Sequence, residues 1–223
     1  MQVELLSHWG SDLTICDCAR VSYNKDSSNY TEEQNEKLIK YLIEHKHTSV
    51  LRHPQLRFRI TCSIYIERHL RKHEIGMEIG LPPEPNSSIN SISGRYVDFS
   101  DSYTTIDLWR KQSKSSKQGS EGLVENQDFC NDIESAVIDF CKSAYEKLIN
   151  EGVSKEQARS VLPLSLNTTF IWTGSLLSFI HLFNLRLKPD AQQETREVVQ
   201  QMYDLILNIE GNPFKYTMKH FCI

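Results

Sequence analysis

The sequence predicts an α+β fold in a single domain spanning residues 1–223. Three patterns point there: a long amphipathic stretch over 128–150, a strictly alternating stretch over 55–61, and several capped helical stretches among only a few candidate strands. At 223 residues the chain is long enough for one sizeable domain. Folding at that length buries roughly 70 % of the surface the unfolded chain exposes, so no disulfide or metal staple is required. Hydrophobic residues make up 39 % and charged residues 24 %, the balance of a soluble globular protein rather than a disordered one.

Taken in order, residues 3–6 predict a short strand, and apolar residues at helical spacing over 13–21 predict a helix capped by Asp12. Thr31, answered three residues later by Gln34, has the pattern of a capping box opening a second helix whose face carries Leu38, Tyr41 and Leu42. Over 55–61, Leu56, Phe58 and Ile60 alternate with Gln55, Arg57 and Arg59, the period of a half-buried strand. Residues 62–73 turn helical and rich in cations, and the three prolines within 80–90 predict a loop. The stretch 111–122, KQSKSSKQGSEG, reads as a polar, mobile linker that could also serve as a lid or subunit contact. The helix over 128–150 ends with Gly152 as its C-cap, and Ser154 caps a short helix stopped by Pro163. Residues 164–172 predict a strand and 176–187 an apolar helix, and Pro189 opens a last long helix to Leu207.

A formal net charge of −4 disfavours broad nucleic-acid binding but leaves room for a small phosphorylated ligand held by a few local cations. No apolar run approaches the roughly 20 residues of a membrane span, and the N-terminus lacks the pattern of a secretory signal. No membrane association is expected, and the expected location is the cytoplasm. The cysteines, Cys16, Cys18, Cys62, Cys130, Cys141 and Cys222, show no C-x-x-C spacing and read as reduced core thiols. His47, His53 and His181 fall in different predicted elements without metal-ligand spacing, so no metal is expected. The nucleophile elbow G-x-S-x-G and the dinucleotide loop G-x-G-x-x-G are both absent.

Two cationic clusters could carry chemistry. In Arg68-His69-Leu70-Arg71-Lys72-His73, helical spacing would place Arg68, Arg71 and Lys72 on one face, where an anion such as phosphate would neutralise them. The plain alternative is a solvated face. In Ser91-Ile92-Ser93-Gly94-Arg95-Tyr96, hydroxyls, a glycine that lets backbone N–H groups approach, and a guanidinium fork can cradle a phosphate, or form an ordinary turn. Arg159 precedes Val161-Leu162-Pro163. Arg186 follows the apolar run 180–185, where it calls for an anion, a polar partner or a core ion pair. Facing a uracil carbonyl, such a guanidinium would stabilise charge developing on the ring.

The order of His47-Thr48-Ser49, Arg68 through His73, Ser93-Gly94-Arg95-Tyr96, Ala158 through Pro163, Asn184-Leu185-Arg186 and Ala191-Gln192-Gln193-Glu194 resembles the flavin-dependent thymidylate synthases over nearly the whole chain. The resemblance implies a small, mostly antiparallel sheet flanked by long helices, in a homotetramer whose sites are shared between subunits. It implies FAD, reduced by NADPH, with dUMP and methylenetetrahydrofolate as substrates and dTMP as product. By the same resemblance His47, Ser49, His73 and His181 would lie along the flavin, with Lys72, Glu74, Ser91, Ser175 and Leu177 at further positions of the cofactor site. His69, Leu70, Arg71 and Lys72 would face dUMP. Ser91, Ile92, Ser93, Gly94 and Arg95 would cradle its phosphate, assisted by Arg159 of another subunit, and Arg186 would be catalytic, contacting the uracil and favouring ionisation of N3. Ser93 would bind phosphate rather than attack the ring, since no base is positioned in sequence to activate it.

The chain departs from the family pattern in three places. The family's Arg-His-Arg triplet corresponds to Lys72-His73-Glu74, the spacing to Ser93 is longer, with 80–90 as an insertion, and the family's Asn-x-Arg becomes Ser175-Leu176-Leu177. Two alternatives follow from these departures: a flavin-dependent dUMP hydroxymethylase, and a nucleotide-binding homologue without catalysis.

Overall fold

The alternation read at 55–61 is realised in strand β2 (Gln55–Ser63), where Leu56, Phe58, Ile60 and Cys62 are fully buried. The computed structural model describes residues 1–73, 89–97, 102–115, 117 and 119–221. With β1 (Gln2–Trp9), β3 (Ile89–Ser91) and β6 (Asn167–Ser175), β2 forms a four-stranded sheet in the order β1-β2-β6-β3. The chain falls into two compact units, one comprising Met1, Thr61–Leu70 and Ser91–Phe170, the other Gln2–Ile60, Arg71–Asn90 and Ile171–Ile223.

The second unit holds most of the apolar core. Helix α6 (Leu176–Arg186) is apolar on nearly every side and buries Leu176, Leu177, Phe179, Ile180, Leu182 and Phe183. Phe179 meets Phe58 edge-on at 5.1 Å between ring centroids and Trp172 at 5.4 Å, the tilted geometry that aromatic quadrupoles favour. Helix α7 (Gln193–Leu207) adds Val198, Val199, Met202 and Ile206, and its Tyr203 ring meets Phe183 at 5.4 Å. This helix opens at Gln193 rather than at the expected Pro189.

Helix α1 (Asp12–Arg20) starts from Ser11, not from the expected Asp12. Ser11 and Thr14 form a capping box, with the Ser11 N–H donating to the Thr14 hydroxyl at 3.1 Å. Asp12 is instead buried. It accepts the backbone N–H groups of Tyr216 at 2.7 Å and Thr217 at 3.2 Å and the Thr217 hydroxyl at 2.6 Å. It thereby holds the first turn of α8 (Lys215–Phe221), a helix not anticipated from sequence. Burial raises the Asp12 pKa, while these hydrogen bonds oppose the shift. Helix α2 (Glu32–Glu44) carries the expected box: Gln34 N–H donates to the Thr31 hydroxyl at 3.3 Å and Thr31 N–H to Gln34 Oε1 at 3.0 Å. Its buried residues are Ile39 and Leu42, whereas Tyr41 is half exposed, so the apolar face is rotated from the one expected.

In the first unit, α3 (Ile64–Leu70) is shorter than the helix expected over 62–73. Cys62 and Ser63 belong to β2, and Arg71 and Lys72 lie in a turn beyond the helix end, so Arg68, Arg71 and Lys72 do not share one helical face. The expected linker at 111–122 is a β-hairpin. β4 (Arg110–Gln112) pairs antiparallel with β5 (Ser120–Leu123), Lys111 opposite Glu121 and Gln112 opposite Ser120, with an irregularity between Arg110 and Lys111. Glu121 ties the connecting segment by accepting from the Ser113 hydroxyl at 3.0 Å and the Lys114 N–H at 2.9 Å. Helix α4 (Gln127–Asn150) is capped by Asn126, which accepts the Phe129 N–H at 3.0 Å. It ends as read, with Gly152 at φ +83°, a left-handed conformation that costs glycine little. Ser154 precedes α5 (Lys155–Ala158), and a 3-10 turn spans Arg159–Val161. β6 lies three residues further on than the strand read at 164–172.

Cys16 and Cys62 are fully buried and unpaired, and burial pushes their thiols up to about 11 and about 12. Cys18, Cys130 and Cys141 are partly exposed. In the native protein an alkylating reagent is expected to modify Cys16 and Cys62 on the order of 100-fold more slowly than the partly exposed thiols. Peptide mass mapping before and after unfolding checks this, and early modification of Cys62 would contradict it.

Candidate functional site

The Ser/Gly/Arg segment follows β3 and is tied to the first-unit part of β6. Beyond β3, the Ile92 N–H donates to the Thr169 carbonyl of β6 at 2.8 Å, and the Thr169 hydroxyl pairs with Thr61 of β2 at 2.8 Å. The chain then turns tightly: the Ser93 carbonyl accepts the N–H groups of Tyr96 at 3.0 Å and Val97 at 3.2 Å, and the Ser93 hydroxyl accepts the Arg95 N–H at 3.3 Å. Gly94 is buried inside this turn, while Ser91, Ile92 and Arg95 are exposed at its rim.

Two of the arginines singled out from sequence meet at Glu156 of α5. Arg95 Nε lies 3.3 Å from Glu156 Oε2, both side chains more than half exposed, and Arg159 Nε–H donates to the Glu156 carbonyl at 3.3 Å. Glu156 was not singled out from sequence. The signal available was its place three residues before Arg159, which a short helix turns into adjacency. A solvated carboxylate pair of this kind contributes little stability. Arg95 can therefore exchange it for the stronger, bidentate hold on a phosphate.

In the second unit, Arg186 ends α6 and donates from Nε to His73 Nε2 at 2.8 Å. Among the described residues this is the guanidinium's one hydrogen bond, and no carboxylate pairs with it. Partial burial lowers its pKa by disfavouring the charged form, yet a guanidinium stays charged at neutral pH. The core ion pair entertained from sequence is thus not formed among the described residues. What stands there is a partly buried cation whose two terminal nitrogens have no hydrogen-bond partner among the described residues.

The other residues of the expected cofactor site take varied positions. His47 and Ser49 are exposed where α2 hands over to a 3-10 turn, and the His47 ring lies edge-on to Tyr41 at 6.1 Å and to His45 at 6.3 Å. Tyr41 and His45 are stacked at 4.0 Å. His181 is exposed on α6. Ser175 is the N-cap of α6, its hydroxyl accepting the Ser178 N–H at 3.3 Å, and Leu177 is 3 % exposed within the core. Leu70 is fully buried, His69 and Arg71 are half-buried and Lys72 is exposed. Glu74 lies outside the described residues. Among the described residues no group of three or more His, Cys, Asp or Glu gathers as a metal site, and no helix is long and apolar enough to cross a membrane.

Among the described residues the Ser93 hydroxyl is contacted by an amide donor and by no base, an arrangement suited to holding an anion rather than attacking carbon. Ser93→Ala is expected to raise the KM for a nucleotide monophosphate about tenfold, the cost of one hydrogen bond to a charged group, while measurable turnover remains. Complete loss of turnover with intact nucleotide binding would reverse that assignment.

Residues 4–209 match the family model described as thymidylate synthase complementing protein. The chain is 32 % identical over 204 residues to a protein of Thermus thermophilus named flavin-dependent thymidylate synthase, covering 92 % of this chain and 70 % of that one. It is 34 % identical over 198 residues to a protein of the same name from Kosmotoga olearia, covering 87 % and 80 %. In fold it is similar to the UMP/dUMP methylase PolB of Streptomyces cacaoi bound with 5-Br dUMP, with a TM-score of 0.84 at 24 % identity, covering 99 % of this chain and 94 % of that one.

Proposed function

The chain belongs to the thymidylate synthase complementing protein family, and from that premise we propose that it is a flavin-dependent thymidylate synthase converting dUMP to dTMP. The observation that carries the proposal is Arg186, a partly buried guanidinium with its terminal nitrogens unpartnered among the described residues. Opposite a uracil carbonyl it would stabilise negative charge spreading over the ring and so ease loss of the N3 proton. The Ser93–Tyr96 turn, with Arg95 and assisted by Arg159 of another subunit, would hold the 5′-phosphate.

The residues that would hold a flavin are His47, Ser49, Lys72 and His181, each exposed in the second unit. The imidazoles of His47 and His181 would be available to the ring, and the Ser49 hydroxyl and Lys72 ammonium could donate to phosphate or ribose oxygens. When bound, FAD reduced by NADPH would supply the hydride that completes the methyl group delivered from methylenetetrahydrofolate. Ser175 and Leu177 act in capping and packing in this structure, so the proposed cofactor contacts rest on the exposed residues.

A homotetramer with shared sites is part of the same reading. It is supported by Phe129, Ile133, Val137 and Phe140 of α4, which follow one another at helical spacing and are 57, 49, 48 and 75 % exposed. An apolar stripe of that length on a long helix marks a contact surface. Use of free nucleotide and folate fits a cytoplasmic enzyme.

The deciding experiment is incubation with methylenetetrahydrofolate, FAD and NADPH in parallel with dUMP or UMP, followed by mass analysis of the nucleotide. The expected product is dTMP. A product carrying one additional oxygen would make the chain a hydroxymethylase. Binding of dUMP without turnover, in a protein that cannot be reconstituted with flavin, would make it a nucleotide-binding homologue.

A further inference from the structure

We infer that His73 is a positioning residue, which orients the Arg186 guanidinium toward the pyrimidine without neutralising it. The inference rests on the proposed dUMP site and adds a role for His73 other than lying along the flavin. The geometry is specific. Arg186 Nε can only donate, so His73 Nε2, at 2.8 Å, must be the accepting nitrogen, and the imidazole carries its proton on Nδ1. An arginine has rotatable bonds up to the guanidinium, and fixing Nε fixes the plane in which the two terminal nitrogens present their N–H groups.

The choice of acceptor matters as much as its position. A carboxylate at this place would fix the guanidinium equally well but would cancel the charge that a developing enolate-like ring needs. A protonated imidazole could not accept at all and would repel the cation. A neutral imidazole is the side chain that holds the fork and leaves the charge intact. The two residues come from positions 113 apart in sequence, so the chain must be folded before either is in place. Holding the guanidinium this way also lowers the entropy lost when the nucleotide binds.

The test needs five proteins: wild type, His73→Ala, His73→Gln, Arg186→Ala, and the double variant His73→Ala/Arg186→Ala that closes the cycle. Glutamine places a neutral acceptor oxygen near the position of Nε2. Titration calorimetry with dUMP is expected to show affinity about tenfold weaker in His73→Ala, the worth of one hydrogen bond to a charged group, and largely restored in His73→Gln. The double variant is expected to bind within about twofold of Arg186→Ala, because removing the guanidinium leaves nothing to orient. Nitrogen-15 NMR of the nucleotide-free protein is expected to show His73 protonated on Nδ1. Additive losses in the cycle would overturn the inference. So would a His73→Ala protein that loses flavin but keeps its affinity for dUMP, or a tautomer with the proton on Nε2. A wild-type protein indifferent to dUMP would overturn the substrate reading alone, since the tautomer measurement needs no ligand.

Discussion

Replacing Arg186 with alanine is expected to lower kcat/KM for dUMP by about 10²–10³-fold, the usual cost of removing one preorganised donor aimed at developing charge. Arg186 is partly desolvated, its Nε is committed to His73, and among the described residues it has no anionic partner. A cation that is not neutralised interacts with charge forming nearby, and partial burial reduces the screening by water. Most of the loss should appear in kcat, since the ring carries more negative charge in the transition state than in bound dUMP. Arg186→Lys is expected to recover only part of the rate, because an ammonium keeps the charge but not the planar fork or the bond from Nε to His73. Steady-state kinetics at saturating folate measures both variants. An Arg186→Ala enzyme within threefold of wild type would remove this residue from the chemistry.

The largest expected effect on stability comes from Phe179→Ala, at about 3–5 kcal/mol. Phe179 is fully buried and sits between Phe58 of β2 and Trp172 of β6, with centroids at 5.1 and 5.4 Å. Removing its ring deletes two edge-to-face contacts and leaves a cavity between two other rigid aromatics, which collapse poorly into the space. At this chain length each kcal/mol corresponds to roughly 2–4 °C of melting temperature, so a drop of about 10 °C is expected by circular dichroism. Phe179→Leu, which keeps an apolar group of moderate size, should cost distinctly less. Equal melting temperatures for wild type and Phe179→Ala would mean that this aromatic cluster does not hold α6 to the sheet strands.

Local features were readable before the fold was known. The capping box of Thr31 and Gln34 formed as read because its partners are three residues apart. The alternation of Leu56, Phe58 and Ile60 became a buried strand face because side chains on a strand must alternate. Where the structure departs from the local pattern, a non-local interaction intervenes. Asp12 looked like a cap for the helix beside it, but its carboxylate serves α8, more than two hundred residues on in sequence. The hairpin at Arg110–Leu123 escaped notice because its strands are polar on both faces. Its stability comes from backbone pairing and from Glu121, neither of which leaves an apolar period to read.

The candidate site divides along the same line. The sequence by itself determined which residues could act: the Ser-Gly-Arg turn, a set of cations, an arginine at the end of an apolar helix, and the family these imply. The tertiary structure decided the partners. It set Glu156 between Arg95 and Arg159, His73 against Arg186, and Ser175 and Leu177 into a helix cap and the core. The physical reason is that residue type and spacing set what a group can donate, accept or bury. Which group it meets, and how far water is excluded from it, exists only once distant segments have packed.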